Sequence, residues 1–235
     1  MRYTLTLILA LCLTPPEAQA QDTRATFDLR LLGLKLGEMQ IVGRVARGHY
    51  TAASSFRSTG VAGALARARF TARSSGRAAP SGLAPRRYSE DVDTGRRQSS
   101  ARMTYQGGTP RVIGGTLASE TDRLDPKDER GTLDPMTALF SALRTQPRDG
   151  LCDLRATVFD GARRSGFAFT DRQAGAQGQI TCSGTYRRLK GFSASELRRQ
   201  TVFPFAITYA PRGGLMRAET MEMQSSYGKV TLSRQ

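Results

Sequence analysis

The chain has 235 residues, a formal net charge of +15 and a mean hydropathy of −0.40. That length fits one domain with a substantial buried core, and the composition is neither that of a disordered acidic tail nor that of a helical membrane protein. Arginine outnumbers lysine 31 to 4, which fits either a GC-rich genome writing its surface cations as arginine or a surface that attracts polyanions.

The first twenty residues set the compartment. Arg2 gives a short basic start, Leu5 to Leu13 is almost unbroken apolar sequence, and Pro15 and Pro16 end any helix. Ala18-Gln19-Ala20 then supplies the small-x-small pattern of a signal-peptidase site, so cleavage is expected between Ala20 and Gln21. The run falls short of the roughly 20 residues a transmembrane helix needs. Leu9-Ala10-Leu11-Cys12 loosely matches a lipoprotein box, but Leu11 is not the small residue that box requires, and Cys12 is expected to leave with the peptide. The expectation is a periplasmic protein with one β-rich domain over residues 21–235, no transmembrane span and no nucleic-acid partner, since no nucleic-acid motif appears.

Beyond the signal, period-two alternation dominates and predicts half-buried strands. Candidates in chain order are residues 25–31, 39–45, 50–58, 66–75, 97–105, 154–160, 166–170, 179–188, 203–209, 215–223 and 227–232. Turn signals punctuate them, among them Leu32-Gly33, Gly107-Gly108, Asp160-Gly161 and Gly213-Gly214. In the fourth candidate Ala66, Ala68, Phe70 and Ala72 point one way and Arg67, Arg69, Thr71 and Arg73 the other. Residues 75–85 and 107–134 read as loops, rich in Gly, Pro, Ser and charge. One helix is predicted after Asp134: an N-cap aspartate, Pro135 at the first position, and Met136, Leu139, Phe140 and Leu143 at i, i+3, i+4 and i+7. A shorter piece is expected at 61–66, and Ser193 to Glu196 matches a capping box. The predicted architecture is mostly β, an antiparallel open or half-closed barrel with one principal α-helix packed against the sheet.

Removing Cys12 leaves Cys152 and Cys182, an even pair in an oxidising space, and a disulfide between them is expected. Two thiols with the lone His49 cannot complete a zinc finger. His49 sits in an apparent turn, no nucleophile elbow, zincin motif or phosphate-binding loop is present, and no cofactor or metal is expected. Asp91 and Asp93, and Asp125, Asp128 and Glu129, lie among arginines and read as surface ion pairs. The arginines Arg67, Arg69 and Arg73 share a strand face. They form either an ordinary solvent face or a basic wall beside a cavity, with Phe56 and Phe70 lining an acyl-sized interior.

Several local features in order carry a family resemblance: Phe27-Asp28-Leu29 with Gly33-Leu34-Lys35-Leu36-Gly37; Ser58-Thr59-Gly60-Val61; Leu83-Ala84-Pro85-Arg86-Arg87-Tyr88; Asp134 to Leu139; Val158 to Arg164; and Cys182-Ser183-Gly184-Thr185-Tyr186. In these the chain, from about Thr23 to Leu232, resembles the exported bacterial proteins grouped as domain of unknown function family thirty-one-oh-eight. The resemblance implies a periplasmic location and a β-rich fold, and brings no catalytic residues. A fainter likeness in shape is to the half-barrel lipoprotein carriers of the periplasm. The functional expectation is a non-enzymatic envelope protein binding an amphipathic or anionic component such as lipid. The alternatives are an assembly partner docking on envelope proteins, and a glycan hydrolase using carboxylates such as Asp91 or Asp160.

Overall fold

The computed structural model describes residues 20–60, 67–95 and 97–235. The signal segment up to residue 19 and the short helix expected at 61–66 lie outside the described residues. Thirteen strands follow one another: β1 (Gln21–Leu31), β2 (Leu34–Ala46), β3 (His49–Ser58), β4 (Arg69–Ala79), β5 (Gly82–Asp93), β6 (Gln98–Gln106), β7 (Thr109–Gly114), β8 (Arg155–Phe159), β9 (Arg164–Ala174), β10 (Ile180–Lys190), β11 (Val202–Arg212), β12 (Leu215–Ser225) and β13 (Gly228–Arg234). They form one antiparallel sheet in the order β7-β6-β5-β4-β3-β2-β1-β13-β12-β11-β10-β9-β8.

Hairpins generate this order. The turns Leu32-Gly33, Arg47-Gly48, Gly107-Gly108 and Gly213-Gly214 each place both residues at positive φ, the backbone of tight two-residue turns whose twist matches the strands they join. The first and last strands then pair in the middle of the sheet, Phe27 opposite Arg234 and Leu31 opposite Val230. The consecutive strands β7 and β8 are left as its two edges.

Two stretches that read as loops contain strands. β4 continues to Ala79 and β5 starts at Gly82, so the Ser/Gly/Arg-rich sequence there is a hairpin of half-solvated strands. Its glycine has a packing reason. A Cβ on Gly76 would run into the Ala84 backbone and the Tyr50 ring. The second loop-like stretch begins with β7, six residues whose outward side chains are mostly polar.

The concave side of the sheet holds the core, with Phe27, Ile41, Tyr50, Met103, Phe159, Ile207 and Tyr209 almost fully buried. The predicted helix, α1 (Pro135–Leu143), lies inside this curve against β3, β4, β5 and β8. Asp134 caps it by accepting from the Thr137 amide at 2.8 Å, and the Tyr209 hydroxyl donates to the Ala142 carbonyl at 2.6 Å. Met136, Phe140 and Leu143 are buried, with the Phe140 ring seated on Gly43 where a Cβ would stand. Each such side chain contributes about 1.5–3 kcal/mol of apolar burial.

The segment 115–134 closes the seam between the edges. The Gly131 amide donates to the Gly108 carbonyl at the β6–β7 turn, the Leu124 amide to Ala162, and Leu133 forms a parallel bridge with Val158 of β8. Glu129, expected on the surface, is instead 1% exposed and takes two hydrogen bonds from Arg164, at 2.7 and 2.6 Å. Leu133 takes up part of the backbone at the β8 edge, where unpaired groups invite pairing with another chain. Cys152 and Cys182 are joined, Cα atoms 5.2 Å apart, tying the approach to β8 onto β10. The capping box of Ser193 and Glu196 starts a single short helix, α2 (Ala194–Arg199).

Candidate functional site

The convex face of β2–β7 carries a groove that follows directly from strand register. Side chains alternate across a sheet, so residues paired between neighbouring strands share a face. One row across five strands reads Val42, Ala53, Arg73, Ser89, Arg102. The next row, two residues along, reads Arg44, Thr51, Ser75, Arg87, Thr104, and continues to Arg111 on β7. Small residues at Ala53, Ser75 and Ser89 keep the floor low between long arginines. A concavity of about 710 Å³ results, walled at its ends by Val42 and by Ile113, which is 63% exposed.

The electrostatics of the groove are one-sided. Arg44 meets Asp22 at 3.5 Å, an exposed pair of little energetic weight. Arg73, Arg87 and Arg102 make no ion pair among the described residues. Three free guanidiniums over an apolar and hydroxyl floor can grip a phosphate or carboxylate by paired N–H donors while leaving room for an aliphatic portion. The basic rows stop at the next row, where Asp91 stands beside Thr71 and Ser100.

The residues singled out in the sequence divide. Arg73 lines the groove. Arg69 shares its face but leans toward Asp93 at 3.5 Å, and Arg67 is exposed ahead of the strand, which begins only at Arg69. Phe56 and Phe70 lie directly opposite each other on β3 and β4 and pack, half-buried, against the core. Arg44, Arg87, Arg102, Val42 and Ile113 also line the groove and were missed. Their signal was the outward phase of each strand, which assembles into a site only once β5 and β7 are in register.

Polar groups in the interior are engaged in structure. The Tyr50 hydroxyl bonds to Thr137 Oγ1 at 2.6 Å and to Ser74 Oγ at 3.1 Å, and Ser74 and Thr137 donate to Asp134 Oδ2 at 2.9 and 2.6 Å. Burial pushes the Asp134 carboxyl up to about 6 despite those bonds. Glu90, accepting from the Tyr88 hydroxyl at 2.7 Å, is likewise pushed up by burial to about 7. Asp160 accepts from the Ala162 and Arg163 amides at 2.8 and 2.7 Å inside the β8–β9 turn, whereas Asp91 is exposed on the outer face. The His49 ring, at the start of β3, contacts the Arg47 carbonyl through Nδ1 at 2.9 Å. Among the described residues no three His, Cys, Asp or Glu side chains cluster at metal-ligand distance.

Residues 25–188 match the model of the family described as protein of unknown function DUF3108, and the chain belongs to that family. The match stops within β10, short of the 23–232 span of the resemblance seen in the sequence, so the last three strands lie beyond it. No curated protein matches the chain. Among solved structures, the beta-barrel-like protein of domain of unknown function DUF1849 from Brucella abortus is similar in fold, at 12% identity and a TM-score of 0.50, over 92% of this chain and 96% of that one.

Proposed function

We propose that this family member is a non-enzymatic protein of the periplasm that binds an amphipathic, anionic component of the cell envelope, with the arginine-rimmed groove as its site. The observation that carries the reading is the convergence of Arg73, Arg87 and Arg102, from three neighbouring strands and without counter-ions among the described residues, over a floor bounded by Val42 and Ile113. Guanidinium groups held by a rigid sheet are pre-organised for a headgroup phosphate, and the flanking aliphatic side chains suit the first methylenes of a chain. The packed interior, by contrast, leaves the helix where an internal ligand would sit.

The test is titration with water-soluble short-chain phosphatidylglycerol against phosphatidylcholine of the same chain length, followed by native mass spectrometry. Wild-type protein binds the anionic lipid in preference to the zwitterionic one. Arg73→Glu with Arg102→Glu removes two charge-assisted contacts, each contributing about 1.5–3 kcal/mol, and binding falls at least a hundredfold. Equal binding of both lipids, or an unchanged affinity in the double variant, refutes the assignment.

A further inference from the structure

A second surface lies away from the groove, at the end of the sheet where β1 turns into β2 and β12 into β13. Leu32, Leu34 and Tyr227 are the most exposed large apolar side chains among the described residues, at 72%, 65% and 72%. The pairing of β1 with β13 sets these two turns side by side, and the Leu32 amide donates to the Lys229 carbonyl at 2.9 Å, fastening one turn to the other.

The placement of Leu32 runs against local rules. It holds the first central position of a two-residue turn with φ 50, followed by Gly33 at φ 85. That backbone favours asparagine, aspartate or glycine, and a branched apolar residue there is an outlier. Solvent exposure adds to the misfit. The side chain is nonetheless supported: it lies over Gly228, itself at φ 114, where a Cβ would collide with the leucine methyls. Departures from local preference that the surrounding structure upholds cluster at functional sites.

Charge beside the tip points to the partner. Arg199 of α2 reaches the Tyr227 hydroxyl at 3.4 Å, and neither Arg198 nor Arg199 has an ion pair among the described residues. Arg30, Lys35 and Lys229 at the same end are neutralised by Asp28, Glu38 and Glu222, and the Glu196 carboxylate of α2 is held in its own cap by Ser193, so the surplus at this end is the two arginines of the last turn of α2. A short apolar prong with a tyrosine and flanking arginines is the composition of a bilayer interface anchor: leucines enter the acyl boundary, the phenol sits among headgroups, and cations meet anionic phosphates.

We infer that the paired turns carrying Leu32, Leu34 and Tyr227 form a prong that inserts into the interface of an anionic phospholipid bilayer, with Arg198 and Arg199 on the headgroups. This surface is separate from the groove and stands or falls apart from it.

The chain contains no tryptophan, so Tyr227→Trp in the full chain is a unique reporter. With vesicles of phosphatidylcholine containing a minority of phosphatidylglycerol, its emission shifts to the blue and is quenched by brominated acyl chains; pure phosphatidylcholine gives a much weaker effect. Adding Leu32→Asn, which suits the turn, or Leu34→Ser lowers partitioning by about tenfold each. Both changes leave binding of monomeric short-chain phosphatidylglycerol intact, and Arg73→Glu with Arg102→Glu leaves acyl quenching of the reporter intact. Failure of the prong is thereby distinguished from failure of the groove. No blue shift, a shift indifferent to the leucine changes, or a shift that appears with rising protein concentration in the absence of vesicles and so reports self-association would each overturn the inference.

Discussion

Replacing Asp134 by asparagine isolates the energetic effect of a buried carboxylate beneath the helix. Asp134 is fully buried, caps α1 and accepts from Ser74 and Thr137. Its carboxyl is raised by burial from 3.8 to about 6. Between those values the native state holds a proton that the unfolded chain has released, so native stability falls as pH rises through this window and levels off above it. Integrating between pH 4 and 7 gives a loss of about 2–3 kcal/mol from this one group, at 1.36 kcal/mol per pH unit. Asparagine does not titrate, keeps a side-chain oxygen for the Thr137 amide, and faces hydroxyls that can reorient to accept. Guanidinium denaturation of wild type and Asp134→Asn at several pH values between 4 and 7 therefore shows the variant gaining on wild type by that amount as pH rises. A constant difference across the range would show that burial does not set the protonation of Asp134, and the reasoning fails.

The same logic applies to Glu90, raised from 4.5 to about 7 by burial; Glu90→Gln flattens the remaining fall in stability between about pH 5 and 7, read from the same denaturation series. Phe140→Ala empties the contact with Gly43 and Tyr50 and destabilises by about 3–5 kcal/mol, visible as a lower denaturation midpoint with an unchanged slope. Opening the Cys152–Cys182 bridge with a double serine variant releases a 30-residue separation and costs about 3–4 kcal/mol on the chain-entropy account, measured against the oxidised wild type. Glu129→Ala strands Arg164 at the seam and costs about 3 kcal/mol, the low end for a buried pair because Arg164 keeps partial solvent contact; thermal unfolding with hydrogen exchange at β8 reports it.

How much was legible depends on the range of the interaction involved. Strand alternation, the Asp134-Pro135 helix start, the Ser193 capping box and the even cysteine pair are local patterns, and each appears in the structure where its residues predicted it. β5 and β7 were hidden because strands with one solvated face, rich in Ser, Arg and Gly, have the composition of loops; only pairing with β4 and β6 gives their backbone its hydrogen bonds. Phe56 and Phe70 lie on the face their strand phase predicted, but only the pairing of β3 with β4 sets them directly opposite each other. Arginine abundance was plain in the composition, whereas the site was not.

By itself, then, the sequence determined the antiparallel β class and the principal helix against the sheet, because these rest on periodicity and spacing within short windows, and it carried the family resemblance in the order of its short motifs. Tertiary structure alone decided that Arg73, Arg87 and Arg102 share one groove and that Leu32 stands beside Tyr227. A slip of one residue in the pairing of β4, β5 or β6 would turn its arginine inward, and the Leu32–Lys229 hydrogen bond that sets the two turns side by side joins residues from opposite ends of the chain.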